Sequence, residues 1–411
     1  MDSFLYNEYE VARETAFVPP YPPATFLPPQ FQNFEDLVSN PPLHEAISSL
    51  EIRNKVDKLP DCPPEFFNVL SLVEKRRLMV ILAFAAHGYI WGNGDQILDR
   101  LPPQVAKPLD FLSKELGTVP LGSYATTVLW NSRLKDPNVG WSLDNVSVDL
   151  TFTGTKDESL FYTVSVCVEV AGAEALWSLQ CILLEISKDS PCLDLIREHF
   201  AKAHRSLEHM LSILKQADKM NSELFYWKIR PYFAGWRNVL PDGVHYAGVD
   251  DASTRRSYVG ISAAQSSLFQ ALDVIFDISH EEPGATYLHK MLSYMPLSHA
   301  RFISHMKTQA AGHLKNFVRG YDDLTEMFNR CVRCRAEFRA VHLRQAQKYV
   351  VKEAFREGKC AFGLAKPVAA GGGIHGAGAT PLRLFLKSTL LTTKEAKITG
   401  GTGIGHVKPE Q

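Results

Sequence analysis

Apolar residues recur at intervals of three, four and seven from Asp322 to Gly358, with Leu324, Phe328, Cys331, Phe338, Val341, Ala346 and Tyr349 on one stripe. That period predicts one long amphipathic helix. Asp322 or Asp323 after Gly320 serves as its N-cap, and Gly358 as its stop. His342 lies within the stripe, so its imidazole points inward with Cys331, Phe338 and Tyr349. A lone histidine on such a face is more often a satisfied core residue than a ligand, and spacing alone favours the core reading. Arg335, Arg339, Arg344 and Lys348 around it fit a solvated face as well as the cationic rim of a site for an anionic cofactor.

The same periodicity assigns most of the remaining chain to helices: Pro42 to about Val56, Pro64 to about Gly88, Leu109 to Leu116, Leu193 to Met220, Ser222 to Trp236, Ser262 to Ile278 and Pro296 to Lys307. Leu160 to Glu185 is apolar on nearly every side, as a central buried helix would be. Val146 to Phe152 alternates like a strand, and Tyr124 to Trp130 fits strand or helix. The proline-rich residues 17 to 31 are expected to lie extended on the surface, an SH3-type ligand being the alternative. A small-residue stretch, Val368 to Thr380, marks residues 359–380 as a mobile loop before a short helix from Pro381 to Lys387. The expected fold is all-α, mainly helical: a small, mixed but mostly helical N-terminal domain (1–150) and a large all-helical domain (151–411).

Charge and cysteine usage narrow the partners. A net charge of −1 over 411 residues leaves no basic excess for nucleic acid. Seven scattered cysteines and an N-terminus without a basic, then apolar, leader favour a reducing compartment, so the expectation is cytoplasmic. The run Leu78 to Ala86 is far short of the ~20 residues of a membrane span, so no membrane association is expected.

Common chemistries fail their context. No Gly-Lys-Ser/Thr follows Gly371 to Gly373, and Cys331-Val-Arg-Cys334 has no second pair to complete a zinc site. His199, His204 and His209 recur every five residues, so neighbours do not share a helix face. No Gly-Xaa-Ser-Xaa-Gly elbow occurs. An inward histidine in a basic, aromatic, helical setting suits haem, with a helical interaction scaffold as the other possibility.

Several blocks resemble the indoleamine 2,3-dioxygenase family, haem enzymes that open the indole ring of tryptophan. They are Tyr89 to Gly92, Tyr124-Ala125 with Val128 to Asn131 and Lys135 to Asn138, Phe161 to Glu169, Arg230 to Trp236 with Ser262 to Asp273, and His342 to Tyr349. The likeness runs from about residue 72 to 390 and is weaker before it; it points to a non-vertebrate, fungal type. The resemblance implies that His342 is the proximal ligand of haem b. It also implies that Arg339 pairs with Asp273 near the haem and that Ser262 bonds a propionate, with Ala263 against haem and substrate. The N-terminal domain would cover the distal side.

For the substrate, the resemblance implies pocket walls at Tyr124, Phe161 and Ser165, Phe225 packing over the indole, and Arg230 taking the carboxylate. Ser165, Phe225 and Arg230 are the expected catalytic positions. Thr127 and Tyr226 fall on pocket positions where cysteine (in vertebrate members) and a second phenylalanine are common. Gly376-Ala-Gly-Ala-Thr380 replaces a Gly-Thr-Gly-Gly-Thr pattern, so Ala377 lacks a hydroxyl that would reach the substrate or the closed loop, while Thr380 is kept. The implied reaction inserts both atoms of O2 across the C2–C3 bond of L-tryptophan to give N-formylkynurenine, the first step of the kynurenine pathway. Ferrous iron, an external electron donor and a monomeric protein are expected with it. The alternatives are a haem-binding regulatory protein with little turnover and a haem monooxygenase acting on another indole.

Overall fold

Ser71 restarts the chain after a proline-directed 3-10 turn, Pro64–Val69, and opens helix α1 (Leu72–Trp91) with a capping box: Glu74 accepts from the Ser71 N–H at 2.8 Å while Ser71 Oγ accepts from the Glu74 N–H. The single helix expected from Pro64 is therefore two elements. In this computed structural model residues 2–94, 96–310, 312–356 and 381–399 are described. The other helices that frame the site are α2 (Pro103–Glu115), α3 (Lys156–Ala171), α4 (Ala173–Ile186), α5 (Leu193–Leu214), α6 (Ser267–Ile275), α7 (Leu297–Ala310), α8 (Asp322–Ala346) and α9 (Leu382–Glu395). Strand is confined to short pieces among the described residues: Ser132–Leu134 pairs antiparallel with Val146–Val148, and Arg100–Leu101 runs parallel to His245–Tyr246. The mainly helical fold is as expected.

The central helix expected over Leu160 to Glu185 is interrupted. A Cβ at Gly172 would fall 2.4 Å from Leu268 Cδ2 and 3.0 Å from Met210 Sδ, so α6 and α5 press against the chain where α3 hands over to α4. The stretch Lys156–Ile186 is apolar and long enough to cross a membrane, unlike the shorter run singled out from sequence. Within its most apolar window, however, 72% is buried inside the protein, which marks a core element. α5 packs on α3, α4 and α8 through Ile196, Phe200, Ala203, Leu207 and Met210, a 3.6-residue stripe. Its last turn tightens into a 3-10 turn, Lys215–Lys219, short of the predicted Met220.

The stripe predicted on α8 is buried at Leu324, Phe328, Cys331, Phe338 and Val341. The N-cap is Tyr321 rather than an aspartate. Asp322 and Asp323 fill the first turn, where their charge still complements the helix dipole, and Asp323 pairs with Arg197 at 2.6 Å. After Ala346 the helix widens into a π-turn, Gln347–Val351, and the predicted stop at Gly358 lies outside the described residues. α9 runs well beyond the predicted Lys387. The proline-rich segment is not merely superficial: Phe17, Val18, Leu27 and Phe31 are buried, while Tyr21 and Phe26 are exposed. Apolar side chains from both sides of position 150, among them Phe84 and Phe200, enter one buried cluster. The helices Gln32–Ser39, Gly284–Met291 and His313–Val318 are too short to carry a periodic signal of their own.

Candidate functional site

A cavity of about 290 Å³ is lined by α3, α8 and α9, the aromatic turns at 225–233 and the segment leading into α6. His342 faces it from α8 and makes no hydrogen bond with another described residue. Burial, and then the charges of Arg339 and Arg335, pull its pKa down to about 4. The imidazole is thus neutral at physiological pH, with a lone pair free for a metal.

One turn of helix away lies a dense charge cluster. Asp273 on α6 accepts from Arg335 at 3.2 Å, from Arg339 at 2.5 Å and meets His280 Nε2 at 3.1 Å. Burial alone would raise the Asp273 pKa; the Arg339 and Arg335 charges and His280 outweigh it and hold the carboxyl well below the usual carboxylate range. Arg335 is itself buried, with its pKa lowered to about 10 by that burial, and its Nε has no partner among the described residues. Two guanidiniums against one carboxylate leave one positive charge beside the cavity, and Arg335 and Arg339 both line it. A neutral, unclaimed imidazole beside a net cationic pair and apolar walls fits an anionic haem. Of the four basic residues considered from sequence, only these two serve that rim. Arg344 turns out to Glu337 at 3.2 Å, and Lys348 donates to the Asp218 carbonyl at 2.8 Å and to the Tyr349 hydroxyl at 3.0 Å.

Much of the remaining wall is aromatic. Phe161 stacks on Phe233 with centroids 5.2 Å apart and meets Phe225 at 5.3 Å; Phe225 in turn meets Tyr349 at 5.7 Å. Ser165 lines the cavity one turn along α3 from Phe161, but its hydroxyl donates back to the Phe161 carbonyl at 3.0 Å. Tyr124 lines the cavity with its hydroxyl turned away onto Glu169. Arg230, half-buried at the wall, holds its guanidinium 5.3 Å from the Tyr226 ring centroid. Ser262 and Ala263 line the wall just before α6, where Ser262 Oγ accepts from the Ala264 N–H at 3.2 Å.

Two expected pocket residues do not reach the lining. Thr127 is buried with its hydroxyl donating to the Ser123 carbonyl at 2.9 Å, and Tyr226 packs edge-on against Trp227 at 4.9 Å. Ala377 and Thr380, with the loop 359–380, lie outside the described residues.

Close backbone contact sets the position of Arg230. A Cβ at Gly260 would fall 2.0 Å from the Phe233 carbonyl oxygen, and one at Gly235 would fall 2.3 Å from the Val259 carbonyl carbon. Ile261 N–H then donates to Phe233 O at 2.9 Å, locking the arginine turn to the Ser262 segment. His87 completes the frame from α1: its Nδ1 bonds the Tyr232 carbonyl at 2.9 Å and its Nε2 accepts from Gly122 N–H at 3.1 Å. Phe233, His280 and His87 have no counterpart in the sequence expectations. Phe233 follows Arg230 by three residues in the same family-like segment, and a polar residue inside the apolar run of α1 is the sequence signal for His87.

Residues 5–396 match the sequence profile of the family described as Indoleamine 2,3-dioxygenase, a longer span than the 72–390 over which the resemblance was evident. The chain is 30% identical over 404 residues to Indoleamine 2,3-dioxygenase 1 of Rattus norvegicus, covering 96% of each. It is 33% identical over 353 residues to Indoleamine 2,3-dioxygenase of Saccharomyces cerevisiae, covering 78% of this chain and 74% of that one. It is also similar, at 28% over 371 residues, to a 6-hydroxytryptophan 2,3-dioxygenase of Fusarium equiseti, with 85% and 87% covered.

Proposed function

Because the chain belongs to the indoleamine 2,3-dioxygenase family of haem-dependent enzymes acting on tryptophan and related indoles, we propose that this protein converts L-tryptophan and O2 to N-formylkynurenine. The observation that carries the proposal is that His342, neutral and without a hydrogen-bond partner among the described residues, lines one cavity together with Arg230 and the Phe161, Phe225 and Phe233 rings. His342 would hold haem b, which, when bound and kept ferrous by an electron donor, would supply the activation of dioxygen.

The chain's own residues then bind and orient. Arg230 offers a planar fork suited to a carboxylate, and the three phenyl rings offer flat apolar faces to an indole. Holding the indole in one orientation lowers the barrier by removing freedom before the reaction. Asp273 is the one carboxyl group among the described lining residues, and its arginine partners keep it ionised. The cavity therefore presents no carboxylic acid to protonate oxygen. Both oxygen atoms end in the product, one on each carbon of the broken C2–C3 bond, so the reaction consumes no reductant. The protein is taken to work as a cytoplasmic monomer.

The test is purified, haem-loaded protein with a reductant, air and either L-tryptophan or 6-hydroxy-L-tryptophan, with product followed by mass and absorbance. N-formylkynurenine from L-tryptophan is the expected result. Bound haem with no product from L-tryptophan would refute the proposal, and product from the hydroxylated substrate alone would move the specificity to that class. His342→Ala should lose haem or change its absorption spectrum, and an unchanged, stoichiometric spectrum would contradict its role as ligand.

A further inference from the structure

Behind the cavity wall sits an acid that the residues named so far do not account for. Glu169 lies on α3 four residues beyond Ser165 and is 0% exposed. Its Oε1 accepts two hydroxyl hydrogen bonds, from Tyr124 at 2.9 Å and from Ser266. Its Oε2 is buried without a partner among the described residues. Tyr124 is held at its other end too, its N–H donating to Gln265 Oε1 at 2.9 Å. Ser266 is the N-cap of α6, the helix that carries Asp273. One side chain thus joins α3, the turn bearing Tyr124 and the start of α6, three segments that meet at the cavity.

A carboxylate with one unpartnered oxygen in a fully buried site is costly, because burial strips its hydration. A proton on Oε2 removes the charge and leaves Oε1 free to accept both hydroxyls. Burial pushes the Glu169 pKa up to about 7, against the opposing hydrogen bonds of Ser266 and Tyr124 and the charge of Arg335. Tyr124 and Arg335 are the titratable or charged groups that act on it. The Tyr124 phenol is held well above its ordinary pKa, by burial first, and so stays a donor; Arg335 is committed to Asp273 and the Phe269 carbonyl.

We propose that Glu169 is a positioning residue for the reaction: as a neutral acid it fixes the Tyr124 wall of the cavity and locks that wall to the start of α6. This rests on the dioxygenase function proposed above. Product formation by the wild type is therefore read first, and its absence counts against that function rather than against Glu169.

The experiment compares Glu169→Ala, Glu169→Gln, Tyr124→Phe and the Glu169→Ala/Tyr124→Phe pair in haem-loaded protein. KM, kcat and optical titration of tryptophan binding against pH are measured, with haem content and Tm alongside. Glu169→Ala should weaken tryptophan binding about tenfold, and Glu169→Gln, which keeps the acceptor without a charge, should restore it to within about twofold. Wild-type binding should weaken as pH rises through about 7, and Glu169→Gln should lack that dependence. Adding Tyr124→Phe to Glu169→Ala should cost little beyond Glu169→Ala alone, since the Tyr124–Glu169 contact is already gone. Unchanged binding in Glu169→Ala, additive losses in the pair, or a Glu169→Gln variant as impaired as Glu169→Ala would each overturn the proposal. If Glu169→Ala does not fold, Glu169→Gln decides alone: binding independent of pH supports the role, and a pH profile like that of the wild type overturns it.

Discussion

Replacing Asp273 with alanine isolates the charge cluster beside His342. The carboxylate is 8% exposed and Arg335 is 3% exposed, so removing the anion strands a guanidinium with little access to water. At 3.2 Å and an effective dielectric constant of about 20, the lost attraction is about 5 kcal/mol. Cutting one partner from such a buried pair costs about 3–5 kcal/mol in practice. Arg339 suffers less, because it keeps hydrogen bonds to the Thr389 carbonyl and to Thr393 on α9. An unfolding entropy of about 2.1 cal/mol/K per residue over 411 residues turns about 4 kcal/mol into a fall in Tm of about 5 °C.

The assay is thermal unfolding by circular dichroism of wild type, Asp273→Ala and Asp273→Ala/Arg335→Met. The double variant removes the stranded charge along with its partner and fills the space with an apolar chain of similar length, so it should recover about half of the loss. A single variant within about 1 °C of wild type, or a double variant less stable than the single, would refute the reasoning.

Arg230→Ala should raise KM for tryptophan about a hundredfold while haem content stays at the wild-type level, and Arg230→Lys should recover little of it, since a point charge cannot reproduce the two-pronged fork; steady-state kinetics with a pyridine haem assay checks both. Gly260→Ala puts a Cβ 2.0 Å from Phe233 O and should cost about 3 kcal/mol or more in denaturant unfolding, whereas Gly140→Ala, with nothing within 4 Å, should stay within about 0.5 kcal/mol. Burial lowers the His87 pKa from 6.5 to about 4, so the folded protein holds the ring neutral; its contribution, about 3 kcal/mol, is complete above pH 6.5 and is lost as pH falls from 6.5 towards 4. His87→Gln should flatten that acid limb in Tm measured against pH, and a limb identical to that of wild type would show that other groups cause it.

The inward stripe of α8 was legible because burial on one face of a helix leaves a 3.6-residue trace that local sequence preserves. His342 inherited its direction from that trace, and the family blocks pointed to its chemistry. The contact between Arg339 and Asp273 joins residues 66 apart, and composition or periodicity alone has no access to it. What stayed hidden was set by contacts between distant segments. Gly172 divides an apolar run that reads as continuous because Leu268 and Met210 occupy the space a side chain would need. Gly235 and Gly260 look like ordinary loop glycines until their backbones are seen back to back. Glu169, His87 and His280 are polar residues whose partners come from other elements.

A second obstacle was phase. Three π-turns, Ala125–Leu129, Phe225–Ile229 and Gln347–Val351, lie around the cavity, and each holds or adjoins lining residues: Tyr124 before the first, Phe225 and Arg230 in and after the second, Tyr349 and Val350 in the third. A π-turn admits an extra residue per turn, so a side chain's direction beyond it no longer follows from counting by 3.6. Thr127 and Tyr226, which the resemblance implies to be pocket residues, sit within two such turns and are buried outside the lining. Wide turns pack less well than α-helix, and their clustering around one cavity is where a fold would accept that loss to bring bulky aromatic and cationic side chains to its lining.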